Sequence, residues 1–280
     1  MVILTLTTDF GLSDGYVGAV RGAIVAHASG DIRLLDNTHQ IPPQDVLAGA
    51  CAVLQIARTF PDDTVHLCIV DPGVGSTRAG LVVRAWEQWF VAPDSGILHF
   101  ILDLPDARVW RLHEPEATAT EATTFAGRDW FARAAARLAT GSPVDAIADA
   151  YTIDECARLN IPQPVFHEHR WVGQVLHTDR YGNIISTLPP PPAEARDTAR
   201  VFVGEYLFGP IRAAYSEVGH NKPVATIGSL DTVEAALNGA AAARRFGVRR
   251  GQTFEILFPE PVAPPQWPPW QRLTGKSRPA

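Results

Sequence analysis

The chain has 280 residues, of which 46% are hydrophobic and 19% charged, and its formal net charge is −6. This balance is typical of a globular protein, and the negative charge without any basic run argues against nucleic-acid or membrane-surface partners. No apolar stretch reaches the roughly 20 residues that a membrane span needs. Three scattered cysteines favour a reducing compartment, and the strand-like run directly after Met1 lacks signal-peptide features. We therefore expect a cytoplasmic protein.

The first half of the sequence alternates strand-like and helix-like segments. Hydrophobic patterning predicts strands over 2–7, 31–35 and 64–70 and helices over 15–28 and 43–59, the second of which starts with proline. Two extended segments, 80–85 and 88–92, join near Trp86 and Glu87, and helices are predicted over 97–102 and 128–140. This order predicts a parallel-sheet α/β sandwich with helices on both faces.

The composition of the sequence and its predicted elements change near Asn160, where a polar, proline-bearing connector begins. Short strand-like runs follow over 170–177, 183–187, 199–203 and 253–258, and only 232–246 is predicted to be helical. Short strands between frequent turns are typical of a small β-barrel or sandwich. We therefore predict an N-terminal α/β domain over 1–160, a C-terminal β domain over 168–258 and a proline-rich tail over 259–280.

Acidic residues stand where apolar runs end. Asp9 follows the first predicted strand, Asp71 the third, and Asp94 the segment 88–92. The carboxyl ends of parallel strands meet at one sheet edge, where ligands bind, so these carboxylates could share one crevice. The alternative is that each carboxylate only caps the next turn or helix.

Several common catalytic signatures are absent from the sequence. There is no dinucleotide-binding glycine motif, no P-loop, and no serine nucleophile elbow. His39, His66 and Asp71 are candidate metal ligands, but no paired ligand spacing accompanies them. We expect neither a metal nor a cofactor.

Seven motifs carry a specific resemblance. They are, in order, TTDFGLSDGYVG, DNTHQIPPQDVLAGA, VDPGVGSTR, APDSG, TTFAGRDWFA, DRYGN and GSLDTVEAALNGAAA. Together they resemble the S-adenosylmethionine (SAM) hydroxide adenosyltransferase family, relatives of SAM-dependent fluorinases and chlorinases, over about residues 2–258. The resemblance implies an α/β domain, a barrel-like β domain and a homotrimer whose site lies at the subunit interface. The implied reaction converts SAM, as substrate, and water into adenosine and methionine.

The same resemblance assigns substrate-binding residues. Asp9 matches an aspartate that accepts hydrogen bonds from both ribose hydroxyls, a role that suits a carboxylate. Asp14 matches a position near the methionine end of the substrate, and Asp179 matches an aspartate that meets the methionine ammonium. The further candidates are Asn183 and Asn238 for adenosine, Ser229 for methionine and ribose, and Asp94, Ser95 and Tyr181 as additional binding residues.

Asp71 and Arg78 are the candidate catalytic residues. The hydrolytic members of the family pair an aspartate with an arginine seven residues later, as here, whereas the halogenating relatives carry tyrosine at the aspartate position. A fixed carboxylate repels a halide but accepts a hydrogen bond from water, and Arg78 would keep Asp71 ionised and oriented. The pair therefore predicts water as the nucleophile.

Ala126 departs from the family pattern, which has histidine at this position in TFHGRD. If that histidine is a general base, its loss predicts intact binding and turnover lowered by about 10²–10⁴. Three alternatives to an active hydrolase follow. The chain could be a SAM- or adenosine-binding protein with little turnover, a halogenase, which Asp71 disfavours, or an α/β protein whose strand-end carboxylates only cap.

Overall fold

The computed structural model describes residues 2–114 and 124–265. The chain divides into two compact units, one extending to Leu159 and the other beginning at Asn160. The strands of the first unit are β1 Val2–Thr8, β2 Ile32–Thr38, β3 Val65–Ile69, β4 Gly80–Ala85, β5 Gln88–Pro93, β6 Arg108–Leu112 and β7 Ala148–Tyr151. Its helices are α1 Tyr16–His27, α2 Val46–Ala57, α3 His99–Leu102, a π-helical turn Gly127–Phe131, α4 Ala132–Ala139, and 3₁₀ turns Val144–Ala146 and Ile153–Glu155.

The seven strands form one mixed sheet in the order β2-β1-β3-β5-β4-β6-β7. Strands β2, β1, β3 and β5 are parallel, whereas β4, β6 and β7 run antiparallel to their neighbours. The sheet is therefore parallel only in the half that contains β1, β3 and β5. The reason is local: Trp86 and Glu87, with φ of 50° and 56°, form a two-residue turn that can join only antiparallel strands.

Helices cover both faces of this sheet, as predicted. Leu6 and Leu67 pack on one face with α1, the π-helical turn and α4. Val83 and Phe90 pack on the other face with α2 and α3. Strand β3 is buried along its whole length, which explains its nearly unbroken apolar sequence.

The second unit is an antiparallel, nearly closed barrel. Its strands are β8 Val165–His167, β9 Arg170–Thr178, β10 Ile184–Ser186, β11 Arg200–Val203, β12 Tyr206–Gly209, β13 Pro223–Ile227, β14 Val233–Leu237 and β15 Thr253–Leu257. Its helical elements are α5 Ala242–Phe246 and 3₁₀ turns Ala193–Ala195 and Tyr215–Glu217. The strand order is β12-β11-β15-β9-β10-β14-β13, with β8 beside β9. A bridge between Ile211 and Ala225 links the two ends of this order, so the predicted fold class is confirmed.

The helix predicted over 232–246 is wrong in its first half. Val233–Leu237 is a strand that is buried at every residue and pairs with β10 on one side and β13 on the other. Only Ala242–Phe246 is helical. The segment VEAAL has ordinary helix formers, but pairing with two neighbouring strands outweighs that weak local preference.

Two further expectations concern the chain as a whole. Within the described ranges no helix is long and apolar enough to cross a membrane, and the three cysteines are buried and form no disulfide. Of the proline-rich tail, residues 259–265 are described and 266–280 lie outside the described residues. Thr123, the first residue of TTFAGRDWFA, also lies outside them.

Candidate active site

Three carboxylates follow three adjacent parallel strands. The strands β1, β3 and β5 are neighbours in the sheet and run in one direction, so their carboxyl ends lie at the same edge. Asp9 follows β1, Asp71 lies two residues beyond β3, and Asp94 follows β5. Thr8 is paired with Ile69 in the sheet, which places the ends of β1 and β3 side by side. This edge is the usual ligand-binding edge of an open α/β sheet.

Asp71 and Arg78 form a bidentate ion pair. Arg78 Nε donates to Asp71 Oδ1 at 2.6 Å, and one terminal nitrogen of the guanidinium donates to Asp71 Oδ2. The side chains are only 8% and 10% exposed, respectively. The intervening loop turns back at Ser76, whose N–H and hydroxyl both donate to Gly73 O, at 3.0 and 2.7 Å. A fork of two parallel charge-assisted hydrogen bonds fixes the plane of the carboxylate.

Arg78 also lies against two aromatic rings that sequence analysis did not single out. The guanidinium carbon is 5.1 Å from the ring centroid of Phe131 and 5.7 Å from that of Trp130. Both residues belong to the π-helical turn that follows Ala126. Both residues belong to the motif TTFAGRDWFA. The motif does not indicate which side chain their rings contact.

Asp94 and Ser95 tie the end of β5 to its surroundings. Asp94 Oδ1 accepts a hydrogen bond from the N–H of Ala157 at 2.8 Å. Burial raises the pKa of Asp94, although that N–H and the positive charges of Arg78 and Arg111 oppose the increase. Ser95 Oγ donates to Val70 O at 2.8 Å. Asp94 therefore anchors the segment around Ala157 to the end of β5, and Ser95 supports the residue directly before Asp71.

Asp9 and Asp14 differ in their surroundings. Asp9 Oδ2 accepts a hydrogen bond from the N–H of Gln44 at 2.8 Å. Gln44 adopts a left-handed conformation with φ of 63°, which turns the start of the α2 segment toward the end of β1. Asp14 is exposed and accepts a hydrogen bond from Ser13 Oγ at 3.3 Å. Asp9 is thus anchored at the sheet edge, whereas Asp14 projects from the following loop.

Ala126 lies in a buried segment that approaches the same edge. Its residue is 6% exposed, and it directly precedes the π-helical turn. A Cβ on the next residue, Gly127, would lie 3.2 Å from Phe10 Cζ and 3.3 Å from Ile69 Cδ1. The backbone at Gly127 therefore packs against side chains at the ends of β1 and β3, with little free space around it.

In the second unit, Asp179 and Asn183 stabilise one tight turn between β9 and β10. The N–H of Asn183 donates to Asp179 Oδ1 at 2.8 Å, and Asn183 Nδ2 donates to Oδ2 at 2.9 Å. Gly182, with φ of 84°, leaves no room for a side chain because a Cβ would lie 2.6 Å from Ala241 Cβ. Tyr181, at the tip of the turn, is 77% exposed. The turn thus presents one carboxylate in a fixed orientation and one exposed aromatic ring.

Ser229 and Asn238 lie at opposite ends of β14. Ser229 is exposed in the turn that precedes this strand, and Asn238 follows it directly. Asn238 Nδ2 donates to Val218 O at 2.7 Å. Because a five-residue strand spans about 17 Å, only an extended ligand could touch both residues.

A buried acid, Glu234, was missed by sequence analysis. It lies on β14, is 5% exposed, and accepts a hydrogen bond from the Tyr215 hydroxyl. Burial raises the pKa of Glu234; the Tyr215 hydroxyl opposes this increase and the charge of Asp179 adds to it. A Cβ at Gly228 would overlap with Glu234 Oε2, so the acid packs directly against the residue before Ser229. Because the segment was predicted to be helical, the sequence did not indicate that Glu234 lies on a buried strand.

The candidate metal ligands do not form a metal site. His39 Nδ1 is hydrogen-bonded to the Thr8 hydroxyl at 2.8 Å, and His66 Nδ1 to the Thr5 hydroxyl at 2.7 Å. Asp71 is paired with Arg78. Across residues 2–114 and 124–265, no group of three or more histidine, cysteine or acidic side chains is arranged to hold a metal ion.

Comparison with known proteins identifies the family of enzymes that shares this fold and these motifs. The SAM hydroxide adenosyltransferase N-terminal domain family matches residues 4–148, and the corresponding C-terminal domain family matches residues 173–255. The chain therefore belongs to the SAM hydroxide adenosyltransferase family.

Individual relatives agree with this assignment. The chain is 35% identical over 261 residues to (R)-S-adenosyl-L-methionine hydrolase of Thermus thermophilus, covering 89% of this chain and 97% of the relative. It is 25% identical over 293 residues to a fluorinase of Actinopolyspora mzabensis, covering 91% and 96%. A crystal structure of an uncharacterised conserved protein from Thermotoga maritima matches with a TM-score of 0.79 at 28% identity, covering 91% of this chain and all of that one.

Proposed function

We propose that this chain transfers the adenosyl group of (R)-S-adenosyl-L-methionine to water. The oxygen of a water molecule attacks the ribose C5′ carbon in line with the sulfonium sulfur. The C5′–S bond breaks with its electron pair retained by sulfur, and methionine leaves as a neutral thioether. The new C5′–O bond gives adenosine, and the water releases one proton. No acid is needed, because the leaving group departs without charge.

The ion pair of Asp71 and Arg78 is the observation that carries this proposal. Its carboxylate is held by two guanidinium hydrogen bonds and is largely buried. A water molecule can donate to this carboxylate and be oriented by it, and the carboxylate can accept part of the proton as the C–O bond forms. A halide would meet the same negative charge at close range and be repelled. The pair thus favours water over halide.

The substrate-binding assignments are part of the same proposal. Asp9 would accept both ribose hydroxyls, Asp179 would meet the methionine ammonium, and Asn183 and Asn238 would contact adenosine. Ser229 would bind near methionine and ribose, which agrees with its separation from Asn238 by the length of β14. Further contacts are proposed for Asp14, Asp94, Ser95 and Tyr181.

The assembly is likewise proposed from the family resemblance. We infer a homotrimer in which the site receives residues from two subunits, a two-domain division at residues 160–168, and a cytoplasmic location. Light scattering at micromolar protein should give about three times the mass of one chain. A monomer with full affinity for adenosine would contradict the shared site.

Ala126 favours one second candidate function, a SAM- or adenosine-binding protein with little turnover. One experiment separates the candidates: the protein is incubated with SAM in H₂¹⁸O containing chloride, and the products are resolved by chromatography and mass spectrometry. Hydrolysis predicts adenosine with ¹⁸O in the 5′-hydroxyl and an equal amount of methionine, both strongly reduced in Asp71→Asn. Bound but unconverted SAM would support the binding protein, and 5′-chloro-5′-deoxyadenosine would indicate a halogenase.

A further inference from the structure

We propose that Trp130 and Phe131 act as positioning residues for the reaction: their rings clamp the guanidinium of Arg78 and thereby hold the Asp71 carboxylate in its productive orientation. This inference rests on the proposed function, because it assigns the clamp a role in orienting the attacking water. The contacts that form the clamp on Arg78 all lie within the first unit.

The two rings form one aromatic surface beside the guanidinium. They stack on each other with centroids 4.8 Å apart and planes 24° apart, and the guanidinium carbon lies within 6 Å of both centroids. An arginine at this distance from an aromatic face gains a cation–π interaction, which is stronger where water is excluded. The Arg78 side chain is only 10% exposed, so the rings replace much of its hydration.

The local backbone conformation places both rings beside Arg78. The π-helical turn Gly127–Phe131 presents consecutive residues to the same neighbour, and such turns are concentrated at functional sites. Trp130 Nε1 donates to His113 O at 2.9 Å, which fixes the plane of the indole. Two residues after Arg78, a Cβ at Gly80 would lie 2.8 Å from Trp130 Cζ2 and 2.9 Å from Phe131 Cε1. Only glycine at position 80 allows the rings to come this close.

The clamp holds the guanidinium at the end of an exposed loop, whose backbone is tied by hydrogen bonds from Ser76 to Gly73 O and from the Arg78 N–H to Ser76 Oγ. The residues 74–77 that lead to Arg78 are all exposed, and Gly75 has a left-handed φ of 80°. An arginine on such a loop would otherwise sample several rotamers, and its partner carboxylate would turn with it. The positive charge of Arg78 also opposes the rise in the pKa of Asp94. Among residues 2–114 and 124–265, however, the ion-pair and hydrogen-bond partner of the guanidinium is Asp71. The aromatic surface is therefore the main restraint on the guanidinium besides Asp71 itself.

The test compares Trp130→Leu with the conservative Trp130→Phe and with Trp110→Leu as matched control. Trp110 is also half-buried against the same core, but its ring lies tilted against Trp89, with centroids 5.8 Å apart and planes 46° apart. The first measurement is the exchange rate of the Arg78 Nε–H proton by NMR of arginine-labelled protein, with Arg78→Lys used to assign the signal. The second is kcat and KM for adenosine release.

The clamp predicts that Trp130→Leu accelerates exchange of the Nε–H at least about tenfold and lowers kcat about tenfold, with KM changed less than twofold. Trp130→Phe should recover most of both losses, and Trp110→Leu should match the unaltered protein. Gly80→Ala, which displaces the rings without removing them, should reproduce the loss if Trp130→Leu does not fold. Unchanged exchange in Trp130→Leu, or equal loss in Trp110→Leu, would overturn the clamp. If Trp130→Leu accelerates exchange but even the unaltered protein forms no adenosine, the clamp on Arg78 is supported and the proposed function is refuted.

Discussion

The substitution Ala126→His tests how water is activated in this protein. If the family's histidine acts as a general base beside Asp71, restoring it should raise the rate of adenosine formation at least about tenfold near neutral pH, where imidazole is largely unprotonated. Tenfold corresponds to about 1.4 kcal/mol of barrier, and it is a minimum, because general-base catalysis typically supplies a factor of about 10²–10⁴. The rate should decline as pH falls through a pKa at or below about 6.5, because burial lowers the pKa of an imidazole.

The structure also predicts a cost to this substitution. Ala126 is 6% exposed and belongs to the core that includes Ile69 and Phe131. An imidazole is larger than a methyl group, and overpacking of a dense core costs about 1–3 kcal/mol. Ala126→His should therefore be less stable to urea than the unaltered protein while being the faster enzyme.

Ala126→Asn is the matched control, since its side chain is close to histidine in size but is no base at neutral pH. Adenosine release is followed for both variants from pH 5 to pH 8, and unfolding by urea is measured in parallel. A rate gain confined to Ala126→His supports the general base. If both variants give the same rate, the histidine role is refuted, and Asp71 with Arg78 must position water without it.

Three other substitutions test the site and the core. Asp71→Asn removes the charge that holds Arg78 and should lower kcat by about 10²–10⁴; an unchanged kcat would exclude Asp71 from the reaction. Asp9→Asn keeps an acceptor for the backbone but removes a charged acceptor for two hydroxyls, so calorimetry should show adenosine affinity weakened by about 2–4 kcal/mol, and equal affinity would remove Asp9 from the site. Burial lowers the pKa of His66 to about 4, so the unfolded state binds more protons between that value and about 6.5, and acidification over this window should cost about 3 kcal/mol of unfolding free energy. His66→Gln should weaken this dependence in urea titrations by about that amount and leave the part contributed by His39 and His99, whose pKa values burial also lowers, whereas the exposed His27→Gln should preserve it; an unaltered slope in His66→Gln would refute the assignment.

Much of the fold follows from local patterns in the sequence. The buried strands β1 and β3 were recognisable because both faces of a central strand are covered, which demands nearly continuous apolar residues. Bounds of the first two helices were predicted to within a few residues from apolar spacing. The sequence predicts β4 and β5 as two extended runs on either side of Trp86 and Glu87. It does not predict that the sheet is mixed, because that depends on the geometry of the turn at these two residues.

The candidate site divides in the same way. The resemblance to the family predicted Asp71 and Arg78 as partners, and the structure adds that the pair is bidentate and nearly buried. Asp94 shows the limit of the pattern, because its position after a strand did not reveal that the N–H of Ala157, far along the chain, holds its carboxylate. Such a contact has no local signature.

Sequence patterns alone predict the alternation of strands and helices in the first unit, the change to short strands in the second, and the motif order that marks the family. These features depend on composition and spacing between near neighbours. Three features emerge only in the folded chain: Val233–Leu237 is a strand, Glu234 accepts a hydrogen bond from Tyr215, and Trp130 and Phe131 lie against Arg78. Each of these arises between residues distant in sequence, where free energy from burial and pairing outweighs the weak preferences of the local chain.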